Sequence, residues 1–212
     1  METTGFGGKT DHFGFATTDL ILQESSKVPR APNEANALDA NGDVAVTKLY
    51  GNAAGTIFDV SCTYLLKSGT LDLSTLSVGE LSTGVFVGSI EAATSNGDWP
   101  KITVSGALGY AAFQAPTGKT AKAAMPAITL VGGKFAQLMG FTVAGGALND
   151  CSISATCDIA EATDGEGEPV AYAASFPNAQ VTANGVYTSA AFAWMVTAPG
   201  IGLIEKQAES TV

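Results

Sequence analysis

Positive charge is nearly absent from this chain. Of its 212 residues only 10 are Lys or Arg and one is His, and the run from Phe135 to Glu205 has no basic side chain at all. That same run carries seven acids: Asp150, Asp158, Glu161, Asp164, Glu166, Glu168 and Glu205. Such a surface cannot neutralise phosphates, which argues against a nucleic-acid or anionic-membrane binder. A single Arg (Arg30) and a single His (His12) also leave few of the groups that serve enzymes as acid, base or phosphate ligand. Charge of either sign is scarce, 14% against 46% hydrophobic, and Ala, Gly, Ser and Thr fill the gap. Monomers are ordinarily coated by long charged side chains. The composition therefore fits a surface covered by partners or by copies of itself, the alternative being a globular domain merely rich in small residues.

Cysteine is the next scarcity. Cys62, Cys151 and Cys157 are odd in number and form no CxxC pair. On a strand, Cys151 and Cys157 would stand about 20 Å apart at roughly 3.3 Å per residue, too far for a disulfide. Together with His12 they match no common zinc spacing, so no metal and no cofactor is expected. No apolar run approaches the roughly 18 residues of a membrane helix. The opening METTGFGGKTDHF lacks a basic stretch followed by an apolar one, so neither a signal peptide nor a membrane partner is expected.

What the chain does have is a period of two. In TIFDVSCTYL the residues Phe58, Val60, Cys62 and Tyr64 alternate with Asp59, Ser61 and Thr63, the pattern of a half-buried strand. CSISATCDI repeats it, with Cys151, Ile153, Ala155, Cys157 and Ile159 inward and Ser152, Ser154, Thr156 and Asp158 outward. TLDLSTLSV alternates with a slip between Leu73 and Leu76 that suggests a bulge. GVFVGSIEAA, KITVSGAL after Asn96-Gly97, PVAYAAS, AQVTA before Asn184-Gly185, and SAAFAWMVT are further strand candidates. Phe135 to Phe141 has room for a short helix, and Asn33 to Ala40 for a helical turn or two. The expectation is an all-β chain, an antiparallel β-sandwich or barrel of about 9 to 11 short strands with at most short helices. Residues 1–40, with Gly5, Gly7, Gly8, Gly14 and two prolines in KVPRAPNEA, read as an extended N-terminal arm ahead of a domain over 41–212. Residues 109–126 read as a long loop, and the two Cys-bearing strands hint at a weak internal duplication.

Several motifs invite chemistry without completing it. Gly8-Lys9-Thr10 and Gly118-Lys119-Thr120 resemble the end of a phosphate loop, but Thr3 and Phe113 stand where its first Gly belongs. Asp39-Ala-Asn41-Gly-Asp43 begins like a calcium loop, yet Val44 and Tyr50 occupy the positions that need Gly and Glu, so a hairpin turn is the simpler reading. Asp164-Gly-Glu166-Gly-Glu168 offers three carboxylates, as a loose Ca²⁺ loop or as a solvated turn between strands. His12 has no evident orienting partner for a nucleophile, and no two carboxylates are held across a cleft. A non-enzyme is expected. Trp194 reads as core, whereas Trp99, at the NGDWPK turn, fits either packing or stacking on a sugar.

LDANGDVAVTKLYG, then an alternating strand, then TSNGDWPKITVSG, and later ISATCDIAEATDGEGEPVAYAASFPNAQVTANG resemble the layout of small bacteriophage virion structural proteins. Within that group the chain is most similar to tail-tube-type subunits, over about Leu38 to Val196. The resemblance implies a sandwich or barrel that closes into a ring, hexameric in that family, with rings stacked into a tube. It also implies arms or long loops reaching the next ring, contacts with other virion proteins, assembly in the host cytoplasm, and DNA passing through the lumen without specific binding. Asp158, Glu161, Asp164, Glu166 and Glu168 are then the lumen-lining candidates, continued by Ser152, Ser154 and Thr156. The long helix that often flanks the tube sheet is not evident in this chain. A head decoration or neck protein, and a monomeric carbohydrate-binding β-sandwich using Trp99 and the acidic loop, are the alternatives.

Overall fold

Strand follows strand along the chain, each set by alternation and ended by a Gly- or Asx-containing turn. The structure, a computed structural model, describes residues 3–4, 9–79, 81–82, 84–109, 123–133, 142–143, 146–187, 195–198 and 202–205. The first half holds β1 (Thr3–Thr4), β2 (Thr10–Asp11), β3 (Leu20–Pro29), β4 (Asn33–Leu38), β5 (Val44–Tyr50), β6 (Phe58–Leu66), β7 (Thr70–Asp72), β8 (Ser77–Val78) and β9 (Leu81–Ser82). After these come β10 (Val85–Ser95), β11 (Lys101–Leu108), β12 (Ala123–Ala124), β13 (Thr129–Val131), β14 (Thr142–Val143), β15 (Gly146–Thr163), β16 (Pro169–Tyr187), β17 (Met195–Ala198) and β18 (Gly202–Glu205). The expected all-β, antiparallel class is what the chain adopts: among the described residues every pairing is antiparallel. The strand count exceeds the expected 9 to 11 because many are two-residue bridges. Among the described residues the helical content is one 3₁₀ turn, Leu73–Thr75.

One sheet organises the molecule, in the order β16-β15-β10-β11-β6-β3, with β9 beside β10. Its register brings Leu22, Tyr64, Ile102, Ala92, Ile153 and Val181 into one transverse row. This inner face is covered by the segments around β7, β8, β12 and β13, whose Leu73, Leu76, Val78, Met125, Ile128 and Leu130 join the same buried cluster. Burying a side chain of this size contributes about 1.5–3 kcal/mol, which explains why the alternating strands keep one face inward throughout. Phe86 meets Tyr172 edge-on at 5.7 Å between ring centres. Gly106 is required by close packing, since a Cβ there would stand 1.8 Å from the Phe86 carbonyl oxygen and 3.3 Å from the Phe13 ring.

The structure departs from sequence expectation in four places. Asn33–Leu38 is a strand, not a helical turn, because Asp39 builds a tight turn that folds β4 onto β5: its Oδ1 accepts from the Asn41 and Asp43 amides at 2.8 and 3.0 Å. Much of the supposed arm belongs to the body instead. Leu20–Pro29 is the end strand of the main sheet, and Asp11, His12 and Phe13 are buried, because Asp11 fixes the turn through the Phe13, Gly14 and Ala16 amides and the Tyr64 hydroxyl. The slip between Leu73 and Leu76 is the 3₁₀ turn capped by Asp72, not a bulge. Asn184-Gly185 continues β16 opposite Asp150 and Leu148, because pairing with β15 overrides its turn preference. The Phe135 to Phe141 helix and Trp194 lie outside the described residues, as does most of the 109–126 loop.

Candidate functional site

The acidic segment singled out in the sequence is the far end of the β15–β16 hairpin. Asp164 closes that turn, its Oδ1 accepting from the Glu166 and Glu168 amides at 2.9 and 3.0 Å. Gly167 sits in the left-handed region (φ +84°), and a Cβ there would come within 3.1 Å of the Tyr50 side chain. The turn is therefore pressed against the base of the β4–β5 hairpin. Gly51 N–H donates to the Gly167 carbonyl at 3.1 Å, and the Ala53 amide donates to Glu168 Oε1 at 3.1 Å. The solvated-turn reading of this loop fits the geometry, and among the described residues no three His, Cys, Asp or Glu side chains are grouped so as to hold a metal ion.

Two cations answer these acids. Arg30, just past β3, spans Asp59 and Glu161 at 2.9 Å each. Burial alone would lower the Arg30 pKa, but the hydrogen bonds and charges of Asp59 and Glu161 raise it overall, so its charge is fixed. Lys48 of β5 reaches Glu166 at 3.0 Å, both side chains being well exposed. Sequence reasoning missed Arg30, Lys48 and Asp59 as members of this cluster; only the curl of the hairpin across the sheet brings them together.

The five proposed lumen residues do not share one face. Asp158 is exposed and alternates with the buried Cys157, on the face of Ser152, Ser154 and Thr156. Glu161 pairs in register with the buried Tyr172, on the core side of the hairpin. Asp164, Glu166 and Glu168 lie in the turn.

On the outer face of the main sheet the register lines up two polar rows. One runs Glu24, Thr63, Thr103, Glu91, Ser154, Gln180; the other runs Ser26, Ser61, Ser105, Ser89, Thr156, Asn178. Neither row contains a cation. Neighbouring hydroxyls meet at Ser105–Ser61 (3.2 Å) and Thr63–Thr103 (3.4 Å). Over these two rows the face consists of short hydroxylated and amide side chains, acidic only at Glu24 and Glu91.

The β4–β5 hairpin is the other exposed feature. Every residue of β4 is exposed, and in β5 only Tyr50 is partly covered. Leu38 and Val46 are each 62% exposed, with Val44 and Leu49 close behind. Two-stranded hairpins with this little cover are marginal in water.

The remaining sequence candidates lie apart from this acidic cluster. Burial raises the thiol pKa of Cys62, and that of Cys151 to about 12 with Asp150 adding to the effect. All three cysteines are buried and none is in a disulfide, and Cys62 and Cys151 lack the thiolate character of a nucleophile. His12 is buried beside the Asp11 turn. Trp99 is half-buried at the β10–β11 turn. The chain matches no protein-family model, no curated protein and no solved structure.

Proposed function

We propose that this protein is a non-enzymatic, self-assembling virion structural protein of a bacteriophage, a tail-tube subunit whose copies join head to tail into rings. The observation that carries the reading is the open main sheet. Its two end strands, β16 and β3, run in opposite directions because the alternation passes through five antiparallel pairings. Adding β3 of one copy to β16 of the next would continue the antiparallel order without a break. End strands present unpaired N–H and C=O groups that invite such addition. A head-to-tail contact of this kind closes into a ring when the rotation allows and otherwise runs on as a filament. Leu20 and Leu22 on β3, and Val181 and Ala183 on β16, would keep apolar residues on the inner side of that joint.

The two hydroxyl-rich rows support the conduit part of the reading, and Lys101, in the next row of the same face, has its ammonium paired with Asp98. A wall that passes DNA must not hold it, and short neutral and acidic side chains offer phosphates no positive charge to release their counterions. Asp158 and the Ser152, Ser154, Thr156 series belong to that wall in this reading, while Asp164, Glu166 and Glu168 fall at its rim. The exposed β4–β5 hairpin supplies a contact to further copies or to other virion proteins.

Negative-stain electron microscopy across a concentration series tests this. Rings or tubes are expected. A decoration or neck protein would instead remain a monomer or trimer at every concentration. Proline substitutions at Ser26 and, separately, Lys27 sharpen the test, since adjacent strand residues point their N–H groups to opposite edges. One variant should stay folded and lose assembly. If both folded variants assemble normally, β3 is not the joint.

A further inference from the structure

At the end of the main sheet opposite the acidic turn, a small cavity of about 160 Å³ opens beside the half-buried Trp99. Ser95, Asp98, Lys101, Asp150 and Ser152 complete its wall. The β10–β11 turn builds it: Asn96 N–H donates to the Asn149 carbonyl at 2.8 Å, which ties the turn to β15 and sets Trp99 next to Asp150.

The polar groups here are positioned but not saturated. Asp98 Oδ1 accepts from the Trp99 amide at 2.7 Å, and its Oδ2 from Lys101 Nζ at 2.9 Å. Asp150 Oδ1 accepts from Asn184 Nδ2 at 2.7 Å. A carboxylate offers about four acceptor sites, so each can take further donors, and the Ser95 and Ser152 hydroxyls can donate or accept. Acceptors in excess beside an aromatic plate suit a ligand with several O–H groups and one apolar face. Two carboxylates against one ammonium disfavour an anion. The Lys101 ammonium, with one aromatic ring in place of an enclosing set, disfavours a quaternary ammonium. The volume, below that of ordinary drug-sized pockets, restricts the occupant to about one ring.

We propose that this cavity is a saccharide subsite that stacks one neutral hexopyranose ring on Trp99 and hydrogen-bonds its hydroxyls to Asp98, Asp150 and the flanking serines. The site lies within one copy, so its test does not need assembly, although its Ser152 is also on the face that the assembly reading gives to the wall. It gives the protein a means of attaching to a glycan.

Saturation-transfer NMR on the full chain tests it, with methyl glycosides of glucose, galactose, mannose and N-acetylglucosamine as probes and choline as the cationic control. At least one glycoside should receive saturation at its ring protons. Trp99→Ala should weaken that binding about tenfold or more, whereas Trp99→Phe, which keeps an aromatic plate, should retain most of it. Asp150→Ala provides a second disabling variant should Trp99→Ala fail to fold by circular dichroism. The proposal is overturned if no glycoside binds the unaltered protein, if the folded Ala variants bind as well as it does, or if choline alone binds.

Discussion

At the residue scale, Asp11 is the side chain on which most converges. It is buried, and its carboxylate holds three backbone amides and the Tyr64 hydroxyl, while the nearby Phe13 and Phe15 rings stack on each other with centres 6.1 Å apart. Burial, with Asp11 beside it, pushes the Tyr64 phenol far above its ordinary range, so it stays a donor. Asp11→Ala should cost about 3–5 kcal/mol in urea unfolding and Tyr64→Phe about 1.5–3, because the former strands the buried Phe13 amide and Tyr64 hydroxyl with two part-buried amides and the latter one acceptor. A loss under about 1 kcal/mol for Asp11→Ala would mean the turn is held elsewhere. Titration adds a second expectation. The Ser74 hydroxyl and amide hold Asp72 below the usual carboxylate range. A depressed folded pKa means stability that is complete above the unfolded value of about 3.9 and is lost as pH falls through the folded one. The melting temperature should therefore fall as the pH is taken below about 4, and Asp72→Asn should flatten part of that fall.

At the element scale, the β15–β16 hairpin is held to the rest of the chain at its far end by Arg30 and Lys48. These pairs are partly or largely exposed, so each is worth no more than about 1 kcal/mol and is screened by salt. Arg30→Met should destabilise the protein by about 1 kcal/mol in low salt and by much less in 1 M NaCl, as read by chemical unfolding at both ionic strengths. An equal loss in both would point to packing of the Arg30 stem instead. The individual strands were legible because alternation reports a buried face directly: β6 and β15 carry Val60, Cys62, Tyr64, Cys151, Ile153 and Ala155 inward as read from sequence. Asn33–Leu38 was not legible, since a strand exposed on both faces has no alternation to show.

At the scale of the whole molecule, a net charge of −10 makes copies repel one another. If the copies assemble as proposed, association should strengthen as salt rises from about 0.05 to 0.5 M, measured by analytical ultracentrifugation. Replacing Leu38 and Val46 by Ser should weaken it, while monomer stability changes by less than about 0.5 kcal/mol, since both side chains already face water. By itself the sequence determined the all-β class, the inward face of the long strands, the two acidic or Asx turns, and the lack of cations. Each of these is local: period, turn chemistry and composition do not depend on which strand lies beside which. The tertiary structure alone decided that Leu20–Pro29 ends the sheet, that Arg30 meets Glu161, that the five candidate acids divide between two faces and a turn, and that Trp99 stands beside Asp150. Those outcomes depend on strand order and on the curl of one hairpin across a sheet, which arise from burying the inner face as a whole and leave no mark on any single segment.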